Sequence, residues 1–463
     1  MAFTDRLHNR GSISTGYDID NSVKLEDANS EWFYNASPTA GNRRTYTFSF
    51  WIKRTEIGAV NASGNAYVIG AGQHGRMFFG GDYFQYRFDD GHDCRNVSVQ
   101  FRDTSAWYHF VVAVDTNQLS SSNRVKLYVN GESLAVDDHD GGSFPDLADQ
   151  GAFFSTNYLT IGTAPFGGTY NVGDGDYDMS GYLSEFCAID GQQLDPTSFG
   201  EYDEDSGIWK PIDVSGLDFG SQGYYLNFSD SANLGDDASG NSNDFTENNI
   251  TSADQATDTA TNNGCTLNVL ASLEGSNDIT EGALVSTGGS GSFNGTYGTI
   301  GIDPFNSTVD WYWEIEASST TNGSTDDIGI GWIKESRITS GSTAYNNVYA
   351  DGISRYSSQT ATAAGDIWGV LLETGATPVF KLYRNDSLIH TSTNGIGGVS
   401  FDTLMFPYIT VKGTGTDARL NFLNPASSFS IASGNTDPNG YGNFEFDTKG
   451  GYALCTKNLA EYG

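Results

Sequence analysis

The sequence predicts an all-β protein made of two antiparallel β-sandwich domains, and three observations carry that prediction. Apolar residues recur at every second position: Tyr46, Phe48, Phe50 and Ile52 face one way while Thr47, Ser49 and Lys53 face the other, the period of a half-buried strand. The composition, with 57 Gly, 4 Cys and 13% aromatic residues, is that of strands joined by turns. No window keeps apolar residues at helical spacing for three turns.

The first domain centres on Trp107 to Glu132. Tyr108, Phe110, Val112 and Val114 share a face in one arm, and Val125, Leu127 and Val129 share one in the next. Asn130-Gly131 supplies two residues that tolerate positive φ, so a type I′ turn is expected there. Further strands are expected at 67–70, 77–88, 97–101 and 223–228. Residues 1–30 contain no strong strand and carry Arg6, Arg10 and Lys24, so they read as an attachment arm ahead of a sandwich over 31–230. Residues 231–264 are rich in Asp, Asn, Ser, Thr and Gly, which predicts a linker or a set of turns laid against the first domain. The second sandwich is expected over 265–425. There Trp311, Trp313 and Ile315 alternate with Tyr312, Glu314 and Glu316, and Asn385-Asp386 turns a hairpin. Residues 426–463 form a C-terminal segment.

Five blocks of the first domain resemble a laminin G-like domain of the concanavalin A-like lectin superfamily in order and spacing: Tyr46 to Trp51, Trp107-Tyr108-His109, Leu127 to Gly131, Tyr158 to Gly162, and Gly181 to Gly191. The blocks WYWEIE, IGIGWI, GDIWGVLLE, FKLYRND, MFPYITV and RLNFLNP, over about 290 to 425, resemble a SPRY domain. With the ending GGYALCTKNLAEYG, the whole resembles structural proteins of tailed phages, particularly marine ones. The first resemblance implies a jelly-roll sandwich. The last implies a virion protein assembled in the host cytoplasm, with its N-terminal arm on other virion subunits and a homo-oligomer, trimeric by analogy.

The formal charge of −35 argues against nucleic acid, because phosphate contacts need clustered cations and the 23 Lys and Arg are scattered. The N-terminus lacks the apolar core of a signal peptide, and no apolar run is long enough to span a membrane. Cys94, Cys187, Cys265 and Cys455 lie too far apart for a zinc pattern. Gly70 to Gly75 matches GxGxxG, yet an alternating strand follows instead of the helix a nucleotide needs, so a β-turn is expected. His109 reads as a packing histidine. His92, Asp93 and Cys94 are adjacent on a strand and point to alternating sides, which disfavours a shared metal. The superfamily includes glycoside hydrolases, whose carboxylates share one strand face. Glu314 and Glu316 offer only two acids, in the second domain, and read as a solvated face, so no enzyme activity is expected.

Calcium is the one cofactor the acidic loops admit. Asp174, Asp176 and Asp178, with Glu185 at the twelfth position, imitate the ligand order of a calcium loop, although Met179 replaces the turn glycine. A second cluster comprises Asp236, Asp237, Asn241, Asn243 and Asp244, for which the alternative is a turn capped by its own side chains. For a carbohydrate, Tyr83, Tyr86, Phe166, Tyr170 and Tyr177 are candidate stacking residues beside acidic groups. Taken with the resemblance, the expected function is a non-enzymatic tail fibre or surface appendage that binds a host glycan or protein receptor. A capsid decoration or tail-assembly protein is the alternative, and a polysaccharide depolymerase the third.

Overall fold

Alternation in Thr45–Arg54 and Trp107–Asp115 places Phe48 opposite Val112 and Phe50 opposite Phe110, so two long strands zip their apolar faces together. The computed structural model describes residues 16–58, 64–89, 91–96, 98–136, 144–165, 178–204, 206–271, 278–289, 294–319, 327–340, 362–396 and 399–463. The chain divides into two compact units, Met1–Thr261 and Asn262–Gly463.

Among the described residues, the first sheet of the first unit runs Glu132–Leu134 (β10), Val125–Val129 (β9), Trp107–Asp115 (β8), Thr45–Arg54 (β3), Gly181–Asp190 (β12), Ser22–Leu25 (β1) and Gln255–Ala256 (β17), with Tyr224–Leu226 (β15) also paired to β12. The second runs Thr246–Asn248 (β16), Trp32–Asn35 (β2), Leu159–Ile161 (β11), Asn65–Ala71 (β4), Gly75–Gly80 (β5), Tyr83–Asp89 (β6) and His92–Arg95 (β7). A small hairpin joins Gly200–Tyr202 (β13) to Trp209–Pro211 (β14). The pairings are antiparallel. Residues from both sheets meet in one core, where Phe50 stacks on Phe186 at 5.2 Å and Phe84 on Phe110 at 4.4 Å.

The hairpin turn forms as the dipeptide requires, with φ of 47° at Asn130 and 78° at Gly131. A Cβ on Gly131 would come within 2.5 Å of the Trp209 ring, so glycine also lets the covering hairpin approach. Gly70 to Gly75 is the β4–β5 turn, not a phosphate loop. All four cysteines are buried free thiols.

Three expectations need correction. Residues 1–15 lie outside the described residues, but Ser22–Leu25 is not part of a detached arm: it lies between β12 and β17, with Val23 and Leu25 fully buried. Residues 231–264 are not a free linker. They supply β16 and β17 and send Leu234, Phe245 and Ile250 into the core, the turns-against-the-domain alternative. Few apolar groups suffice because Asx side chains satisfy the turn backbone: Asp237 Oδ1 accepts from the amides of Tyr225 and Ser239. The outer face of the first sheet is buried too, under a cluster of Trp51, Trp107, Tyr182 and Trp209 and another of Val111, Cys187, Ile189 and Phe219.

In the second unit, one sheet orders 278–280, 285–287, 417–421, 311–317, 367–373, 379–384 and 387–393, and a smaller one orders 294–297, 405–412 and 327–334. Trp313 and Trp332 meet edge to face at 6.5 Å in its core. Asn385 and Asp386, both at positive φ, make the expected hairpin. Glu314 and Glu316 are not solvated, a further correction. The segment after Pro425 folds over that face, so Glu314 accepts from the amides of Glu445 and Phe446 at 2.9 Å and Glu316 accepts from Ser430 N at 2.6 Å. Tyr452–Ala453 then adds in parallel to 311–317.

Candidate functional site

Turn chemistry gathers four amide side chains at one edge of the first sandwich. Asn35 ends β2, and its Oδ1 accepts from Ser37 N at 3.2 Å. Ser155 Oγ donates to Ala152 O at 2.6 Å and accepts from Asn157 N at 3.1 Å, a local turn that fixes Asn157 ahead of β11. Gly72, at φ +56°, packs so closely that a Cβ would lie 3.1 Å from the Asn157 amide carbon. Gln222 is held through its backbone N–H, which donates to Asp190 Oδ2 at 3.2 Å. Asn243 is anchored at both ends: its N–H donates to Asp237 Oδ2 at 2.8 Å and its Nδ2 to Gly223 O at 2.9 Å.

These amides border a shallow, solvent-open cleft together with Thr39, Ser155 and the rings of Phe48, Phe153, Phe154, Tyr224 and Phe245. Among the described residues no charged side chain lines it. Asn157 and Gln222 make no side-chain hydrogen bond to any described residue. The Tyr224 hydroxyl is buried with no partner among the described residues, although Tyr224 is only 3% exposed. Leaving such a group unmatched costs about 1–3 kcal/mol. Phe154, half-buried at the cleft, holds φ +54°, a left-handed conformation that costs a non-glycine residue about 1–3 kcal/mol and collects at ligand sites. Neutral donors and acceptors beside apolar rings are suited to a polyhydroxylated, uncharged molecule.

The residues singled out from the sequence fall differently. Tyr86 is a correction: it is fully buried on the core side of β6, and its hydroxyl meets that of Tyr46 at 2.6 Å. Tyr83 lies half-buried on the outer face with the Arg95 guanidinium 5.4 Å from its ring, away from the cleft. Tyr170, Tyr177, Phe166, Asp174 and Asp176 lie outside the described residues, and Asp178 is buried beside Met179 in the core. Asp237 carries hydrogen bonds on both oxygens from Tyr225 N, Ser239 N, Ser239 Oγ and Asn243 N, and Asn241 Nδ2 donates to Gly220 O and Gly223 O. Any cation there would have to displace those donors. Asp237 thus holds the backbone of Asn243, a positioning role that the sequence did not reveal, while Asp236 is exposed beside it.

Glu185 does not complete a calcium loop. It stands at a bulge in β12 with φ +48°, and its carboxylate accepts from Tyr225 Oη at 2.7 Å and Tyr17 Oη at 3.2 Å. Burial pushes its pKa up to about 7 against the opposing pull of these hydroxyls. A raised carboxyl pKa favours the folded state fully below the unfolded value of 4.5, and that contribution is lost as pH rises through about 7. Between pH 5.5 and 8, Glu185→Gln should therefore lessen the loss of first-unit stability by about 2 kcal/mol, read from urea midpoints at the two pH values.

His109 and Ser49 look like a hydrolytic pair, with Nε2 and Oγ 2.8 Å apart. Trp209 Nε1–H donates to His109 Nδ1 at 3.0 Å, so in the neutral ring Nε2 carries the proton and donates to Ser49. Burial drives the imidazole pKa down to about 3. The ring is thus a packing histidine that cannot take the serine proton.

Residues 20–187 match the family model described as the concanavalin A-like lectin/glucanases superfamily, and the first unit has that laminin G-like fold. No curated protein matches the chain. Among solved structures, the heptameric SAP-like pentraxin of Limulus polyphemus is 13% identical, with 44% of this chain and all of that one covered at a TM-score of 0.29. Mouse laminin α1 domains LG4-5 are 10% identical, covering 88% of this chain and 91% of theirs at 0.29. A human SPRY domain is 14% identical, covering 30% and 90% at 0.20.

Proposed function

We propose that the protein is a non-catalytic glycan-binding protein whose first unit holds an uncharged sugar in the cleft bordered by Asn35, Asn157, Gln222 and Asn243. The observation that carries this is the lining itself: four amides, the hydroxyls of Thr39 and Ser155 and aromatic rings, with no charged side chain among the described residues. Sugar hydroxyls match amides in both directions, and apolar rings cover C–H faces. A hydrolase of the common type needs two carboxylates across the scissile bond, which this lining does not supply. A charge of −35 also repels acidic polysaccharide and so favours neutral sugars. In the virion setting implied by the sequence resemblance, the cleft belongs to a tail fibre or other appendage and meets the host surface.

The test is full-length protein on a glycan array at low and high salt. The expected result is binding to glycans ending in neutral sugars that persists in 1 M NaCl, since little of it is Coulombic. Binding confined to sialylated or sulfated glycans, or none at all, would defeat the proposal.

A further inference from the structure

We propose that Asp89, His92 and Asp149 form a binding site for one divalent transition-metal ion of the zinc class, which clamps the β6–β7 hairpin to the segment entering the cleft wall. Asp89 ends β6, His92 opens β7, and Asp149 arrives from a segment 57 positions beyond His92. One donor atom from each lies within 4.8 Å of the others. His92 Nδ1 is 2.8 Å from Asp89 Oδ1 and 3.8 Å from Asp149 Oδ2. Two ligands at zinc distances and a tetrahedral angle stand roughly 3.3–3.6 Å apart, so changes in these separations of a few tenths of an ångström to at most about 1.5 Å would complete the shell. Three protein donors then leave the fourth position to water.

The donor set also selects the ion. Calcium and magnesium take oxygen ligands in six- to eight-fold shells, whereas an imidazole with two carboxylates suits zinc and its neighbours. Each carboxylate is held by a backbone amide: Gln150 N donates to Asp149 Oδ1 at 2.9 Å, and Gly91 N donates at 2.8 Å to Asp89 Oδ1, the oxygen that also meets His92 Nδ1. That leaves Asp149 Oδ2 directed at the imidazole. The nearby cations are committed elsewhere, Arg87 to Asp93 and Arg43 to Gly151 O. The three side chains are 17–34% exposed, so an ion can reach them. Three residues past Asp149 the chain reaches Ala152 and the cleft lining, with Ala152 N bonded to Phe88 O at 3.1 Å.

The experiment is calorimetric titration of metal-stripped full-length protein with ZnCl2, alongside thermal melts and hydrogen exchange. One ion should bind per chain, the melting temperature of the first unit should rise on the order of 5 °C at a hundred-fold excess over the dissociation constant, and amide exchange in 144–158 should slow. His92→Ala and Asp149→Asn should each weaken binding at least about ten-fold while melting like the parent in EDTA. Either variant suffices if the other fails to fold. No zinc binding by the parent, or zinc binding that both substitutions leave intact, would overturn the site. None of these three readouts involves glycan, so the result stands independently of the cleft.

Discussion

Asp258→Ala should destabilise the first unit by about 3–5 kcal/mol, because it strands a charge inside the protein. Lys53 and Asp258 pair at 2.8 Å with side chains 0% and 4% exposed. Asp258 Oδ1 also accepts from Trp107 Nε1 at 2.9 Å, and its carbonyl accepts from Ser22 Oγ at 2.6 Å. One aspartate thus joins β3, β8 and β1 to the chain following β17. Removing it leaves an ammonium that water cannot reach, whereas replacing both partners with apolar groups removes the charge problem. Lys53→Met with Asp258→Leu should therefore recover most of the loss. Urea unfolding of the single and double variants measures both quantities; additive losses in the double variant would show that the ion pair is not what the site depends on.

The other large effect is on binding. Asn157→Ala combined with Gln222→Ala should weaken glycan binding about 30-fold, from roughly 1 kcal/mol for each hydrogen bond lost to the ligand. Stability should hardly move, because both side chains are half-buried and neither amide bonds another described side chain. The contrast with Asp258 separates a residue that holds the fold from residues proposed to bond the glycan.

The central meander was fully legible, because Trp107 to Glu132 is long enough for period-2 alternation to repeat and Asn130-Gly131 admits few turns other than type I′. Ser22–Leu25 was not, since four residues give only Val23 and Leu25 as signal. The 231–264 stretch misled as a linker because side chains cap its backbone, as at Asp237, which lets a few apolar residues hold it on the domain. Tyr86 was a signal overlooked: the alternation that buries Phe84 and Phe88 buries it as well. Glu314 and Glu316 alternate as an exposed face would, and only chain more than a hundred residues later covers them. The cleft had no spacing at all. Asn35, Asn157, Gln222 and Asn243 come from four separate segments that only the closed sandwich brings together.

The most direct measurement is calorimetric titration of the parent protein and the Asn157→Ala/Gln222→Ala variant with the neutral glycan that binds best on the array. The expected result is saturable binding by the parent, a roughly 30-fold weaker constant for the variant, and coincident melting curves. Equal affinity in the two proteins would place glycan recognition outside this cleft.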